Sequence, residues 1–371
     1  MSCRFLASFG MHHTSARTAI TQLLATKGFG ERGLALVLAA ACGDAEINAV
    51  TLRQRALEMA SAMPAQHVTS YVGELLYAPI PKDETELCRQ LCPATIDLAK
   101  NIGLQLACLA GLVTLWPHVS SSERALMRQR YLDGLMSDQA SSDMHLPSAQ
   151  LTAWQRDLPT AKSEPNASVA TLKGLLNETT PKDAYRIMSD HLGLNANLAT
   201  LSWVLGSLAV QVRLRFHDPN RYLLHIILGT VACERLSHVA PPEYIATLIT
   251  QIGHQLWWCR HEAGLQPIRT CIDHDLQDFH QAIASGNLTS AQRASRTLGQ
   301  QPEQFWTEAW KMVAERIAAK DPNWHVALEL VLVTAWRTDT DVVSPDDAAA
   351  VGTVMADLAY REKNTPEMIT H

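Results

Sequence analysis

Apolar residues recur every three or four positions along most of this chain, the spacing that turns one stripe of a helix toward a core. The recurrence runs through Ala16–Leu24, Leu34–Cys42, Leu98–Leu115, Leu126–Leu135 and Leu198–Leu208. It continues through Leu223–Leu236, Tyr244–Trp258, Trp306–Ile317 and Val326–Trp336. Period-two alternation bounded by turn residues is nearly absent, so few strands are expected. The pattern predicts an all-α fold, a compact multi-helix bundle.

Punctuation agrees with periodicity. Ser121–Ser122–Glu123, Pro241–Pro242–Glu243 and Ser344–Pro345–Asp346–Asp347 read as helix starts, and Gly28, Gly264 and Gly286 as stops. Residues 138–164 are rich in Ser, Asp and Pro and carry little periodicity. The expected organisation is one helical domain over 1–371. It has an N-terminal half (1–135), an irregular connection (136–180) and a C-terminal half (181–371). A faint echo links two stretches. Leu223–Leu224–His225, an apolar run and a Pro turn resembles Asn323–Trp324–His325, an apolar run and Ser344–Pro345. Each unit is the size of a helical pair, which suggests pseudo-repeated pairs with His225 and His325 in equivalent places.

Composition narrows the function classes. The 371 residues are 47% hydrophobic and 18% charged, enough apolar material for a sizeable core. A net charge of -6 argues against a nucleic-acid partner, which selects basic surfaces. No apolar run reaches a membrane span of about 18 residues. The first residues lack the apolar stretch of a signal peptide. The eight cysteines include no Cys-x-x-Cys pair and read as reduced core thiols. A cytoplasmic location is expected.

Common catalytic motifs are missing or out of context. Gly28–Phe29–Gly30–Glu31–Arg32–Gly33 spells a dinucleotide loop, but a helical pattern precedes it where a strand is required, so a helix cap and turn fits better. Fifteen histidines are the unusual feature. His67, His118, His145, His217, His238 and His371 fall in or near polar turns, where solvent exposure is the default. His254, His261, His274 and His280 fall on helical segments. His225 and His325 each open a strongly apolar helix, where an unpaired polar group is costly. A core histidine satisfied by one hydrogen bond and a metal-ligating histidine both fit such a position.

Three segments resemble the questin oxidase-like family of helical oxidoreductases. Met11–His12–His13 followed by an Ala-containing helix resembles its N-terminal Asn-His motif. Arg221–Tyr222–Leu223–Leu224–His225, an apolar helix and Pro241–Pro242 resembles its Leu-His segment. Phe305–Trp306 through Trp310, then Lys320–Asp321–Pro322–Asn323–Trp324–His325–Val326, resembles its Trp-led helix and His-Val motif. The order spans nearly the whole chain. The resemblance implies a non-haem metal ion, iron first, held by His13, His225 and His325. It also implies NADPH as a reductant, which no motif here supports. By the same resemblance the partner is a hydrophobic aromatic small molecule, opened by oxidative cleavage or Baeyer–Villiger-type oxygenation. This chain departs from the family in two places. The middle helix around Gly103–Leu112 has no histidine where the family has two, and Leu328 stands where it has lysine. The alternative is therefore a member with a degraded metal site, acting as a metal-free tailoring enzyme or a small-molecule-binding protein.

Overall fold

A computed structural model describes residues 57–58, 60–61, 75, 77–137, 142–157, 172, 174–193, 198–213, 215–218, 222–267, 278–318 and 345–364. The described residues form an all-α fold. Among the described residues are twelve α-helices, three short 3-10 turns and one two-residue antiparallel pairing of β1 (Phe216–His217) with β2 (Gln266–Pro267). None of the described helices is long and apolar enough to cross a membrane.

The helices divide between two units. The first holds α1 (Glu84–Leu98), α2 (Ile102–Leu115), α3 (Ser121–Ser137), α4 (Ser148–Asp157) and α5 (Pro181–Gly193). It also holds most of α6 (Leu198–Arg213), with α7 (Tyr222–Leu236) and α8 (Pro242–His261). The core of this unit is the stack of α2 on α7 and of α8 on α5 and α7. Leu106, Leu109, Ile226, Leu236, Ile249 and Leu256 are at most 0% exposed there. The second unit holds β1, β2, α9 (Phe279–Ser285), α10 (Leu288–Leu298), α11 (Pro302–Ala318) and α12 (Pro345–Asn364). Its centre is α10 against α12, where glycine lets the helices close up: a Cβ on Gly352 would lie 2.6 Å from Ser295 Cβ.

Local chemistry fixes the helix ends. Asp83 caps α1 by accepting from Glu86 N (2.8 Å), and Glu86 returns an acceptor to Lys82 N (2.7 Å). Glu123 accepts from Ser120 N at 2.7 Å, which starts α3 where the sequence placed a start. Gly286 ends α9 with φ 71°, a left-handed geometry that favours glycine, and Asn287 then caps α10 by accepting from Ser290 N.

Two sequence expectations change. The run Leu98–Leu115 is broken: α1 ends at Leu98 and Asn101 restarts the chain as the cap of α2, accepting from Leu104 N at 3.4 Å. Apolar periodicity carries across the three-residue gap and hides it. The stretch read as an irregular connection contains α4 and the 3-10 turns Ser142–Met144 and Gly174–Asn177. Only Leu151 and Trp154 give α4 an apolar side, too little for a periodic signal. They pack with Leu146 and Tyr185 instead.

Candidate functional site

His225 sits in the first turn of α7, partly buried in a mostly apolar helix. The backbones of α2 and α7 nearly touch beside it. A Cβ on Gly103 would lie 2.1 Å from the His225 carbonyl oxygen, and one on Gly229 would lie 2.7 Å from Gly103 Cα. Glycine at both positions is what permits the approach.

This crossing carries a chain of hydrogen bonds whose direction is fixed by backbone donors. Gly103 N–H donates to Gln255 Oε1 on α8 (3.2 Å), so the other end of that amide is the Nε2 donor. Gln255 Nε2 donates to Asn101 Oδ1 (3.1 Å), which also accepts from Leu104 N. Asn101 Nδ2 therefore faces His225 Nδ1, at 2.7 Å. An amide nitrogen can only donate, so His225 Nδ1 accepts and the ring proton sits on Nε2. Asn101 and Gln255 are 5% and 0% exposed, and in that dry setting every polar group needs its partner.

The same helix supplies further grips. Gln251 holds the Leu146 peptide at both ends, Oε1 accepting from Leu146 N (3.0 Å) and Nε2 donating to Leu146 O (2.6 Å). His254 Nε2 donates to Asp143 O (3.0 Å), Trp257 Nε1 to Glu178 O (2.8 Å) and His261 Nε2 to Leu176 O (3.1 Å). The rings of His254, Trp257 and His261 stack in succession, with centroids 5.8 and 5.3 Å apart. On the His225 side, Tyr222 meets Trp258 edge-on at 5.6 Å. Helix α8 is thus a rack that holds the α2 start and two irregular segments in register.

Burial sets the ionisation of several groups. It pushes the His254 imidazole down to about 4, with the nearby His145 acting in the same direction and the Asp143 carbonyl opposing. His145 Nε2 donates to Ile96 O (2.6 Å), so this histidine is held against α1, not left to solvent as the sequence suggests. The Cys92 thiol is pushed far up by its hydrogen bond with Cys88 and by burial, and Cys233 is pushed up by burial. Tyr131, whose hydroxyl meets Thr95 Oγ1 at 2.6 Å, is raised by burial.

Of the three histidines singled out in the sequence, His225 is described, while His13 and His325 lie outside the described residues. So do the Gly28–Gly33 loop, His274, Leu328 and the helices expected at Ala16–Leu24, Leu34–Cys42 and Val326–Trp336. Among the described residues, no three His, Cys, Asp or Glu side chains are grouped to hold a metal ion. The donor chemistry of His225 does not fit one either. A metal-bound histidine donates its second ring N–H to a carbonyl or carboxylate, which makes the ligating nitrogen more basic. His225 has the opposite polarity: Nδ1 is engaged as an acceptor and Nε2 carries the proton a metal would have to displace. Trp257 and Trp258 are buried at this site, whereas Trp203 is 53% exposed. Sequence reading missed Asn101, Gln251 and Gln255; their signal is a polar residue set within an apolar helical run or capping one, which only the three-dimensional pairing makes specific.

No protein-family model matches the chain, and no curated protein or solved structure matches it.

Proposed function

We propose that this chain is a metal-free small-molecule-binding protein or tailoring enzyme for hydrophobic aromatic compounds. It would be a divergent relative of the questin oxidase-like oxidoreductases in which His225 acts as a hydrogen-bond donor, not as a metal ligand. The observation that carries the reading is the fixed polarity of the Gly103–Gln255–Asn101–His225 relay. A relay ending in an accepting Nδ1 fixes the tautomer of the neutral ring, with its N–H at Nε2. Tyr222, one turn before His225, and Trp258, one turn after Gln255, supply aromatic surface beside it. Its substrate is in the class that the sequence resemblance implies, without the oxygen-activating ion. No residue here is assigned to bond making or breaking.

Two measurements test this. Elemental analysis of purified protein should find well under one equivalent of iron, copper, manganese or zinc, and added metal should leave the melting temperature unchanged. A hydroxyanthraquinone probe should quench tryptophan fluorescence, and His225→Ala should weaken its binding by about tenfold, the loss of one directed hydrogen bond. About one metal ion per chain, lost in His225→Ala, would overturn the proposal in favour of a metal-dependent oxygenase.

A further inference from the structure

His254 is 7% exposed, and its Nδ1 has no hydrogen-bond partner among the described residues. Its other nitrogen is committed to the Asp143 carbonyl, so Nδ1 is a bare lone pair in a dry place. A proton arriving there would create both a buried charge and a donor with nothing to receive it. What covers the ring is a short segment of chain. From Ser142 to Leu151 this segment is tied down by His254 on Asp143 O, by Gln251 on both ends of the Leu146 peptide, by His145 on Ile96 O, and by Ser148 on Asp97. Met144, Leu146 and Leu151 are its buried apolar anchors. Two of the four polar ties are imidazoles.

We propose that residues 142–151 form a strap that leaves α8 when His254 takes up a proton, uncovering the α8 face between Gln251 and His254. The closed strap holds the ring dry and the lifted strap hydrates it, so the proton binds the open state preferentially and mass action favours opening. Of the surrounding groups, His145 works in the same direction and the Asp143 carbonyl against it. From the strap side the facing titratable groups are Asp143, which offers its backbone carbonyl, and His145, which disfavours charge on His254. From α1 the nearest tie is Asp97, engaged by Ser148. From α5 the contact is Met188, which fills the notch at Gly253, and from α2 and α7 the amide relay with His225 faces α8. From the Glu178 segment the tie is a backbone carbonyl held by Trp257. Among the described residues, no carboxylate reaches His254 to stabilise its cation.

Amide hydrogen exchange across the strap tests this in the full chain. The Leu146 amide donates to Gln251 Oε1 on α8 and reports closure directly. A ring held near 4 when closed and at its ordinary 6.5 when open predicts about twentyfold faster opening-limited exchange at pH 5 than at pH 7, after correction for intrinsic rates. Amides of α10 and α12 serve as the internal control. His254→Gln keeps a donor for Asp143 O and removes the titration, so its strap exchange should change less than threefold over the same range. A strap whose exchange is pH-independent, or equally pH-dependent in His254→Gln, overturns the proposal. Should that variant fail to fold, the ring C2-hydrogen exchange of His254 in the wild-type chain gives its titration: a midpoint well below 6 is expected, and a midpoint near 6.5 overturns it.

Discussion

At the scale of single residues, Gly103 and Gln255 decide whether the α2–α7 crossing can exist. Gly103→Ala puts a methyl 2.1 Å from a backbone carbonyl, which no rotamer relieves. It should cost about 2–3 kcal/mol of stability in urea unfolding, at the upper end for overpacked sites. Gln255→Leu keeps the bulk but strands the Gly103 N–H and shares out the Asn101 amide differently. It should cost about 2 kcal/mol, and nitrogen NMR of the ring should show that His225 no longer favours the Nε2–H tautomer. An unchanged tautomer would show that the relay does not set the ring. In the sequence, His225 stood out because an imidazole opens an apolar helix. Its partners did not, because Asn101 and Gln255 lie 124 and about 30 residues away, and amide side chains at caps and on helices are ordinary.

At the scale of elements, long apolar helices were readable and short polar ones were not. The sequence locates α3, α6, α7, α8 and α11 because each repeats its apolar residues over three or more turns. It passes over α4 and α10, which owe their stability to contacts with other elements. Helix α10 illustrates the reason. Its buried face is Leu288 with Ser290, Ala291, Ala294 and Ser295, the last four small enough for α12 to approach closely. Gly352→Val should therefore separate α10 from α12 and lower the melting temperature by several degrees, measurable by calorimetry, a larger effect than Gly134→Val, where a Cβ meets nothing within 4 Å.

At the scale of the whole molecule, the ionisable groups in the core govern how the protein responds to its medium. His254 binds its proton more weakly when folded, at about 4, than when unfolded, at 6.5. Its contribution is intact above pH 6.5 and is lost progressively as pH falls toward 4, by about 3 kcal/mol in all. Urea unfolding of wild type against His254→Gln should show the gap between them change by most of that amount from pH 7 to pH 4.5. The thiols respond oppositely. Cys88, Cys92 and Cys233 are 0% exposed, and the last two are held protonated, so a thiol reagent at pH 8 should label them only on unfolding. Their burial was legible from composition, whereas the mutual contact of Cys88 with Cys92 needed α1 to be recognised as a helix. Finally, the twin glycines where α2 meets α7 work as a ratchet. They let two backbones close to van der Waals distance, and neither 103 nor 229 can carry a side chain without prying the helices apart. Placing an imidazole at 103 is therefore a problem of re-spacing two helices, beyond the reach of one codon change.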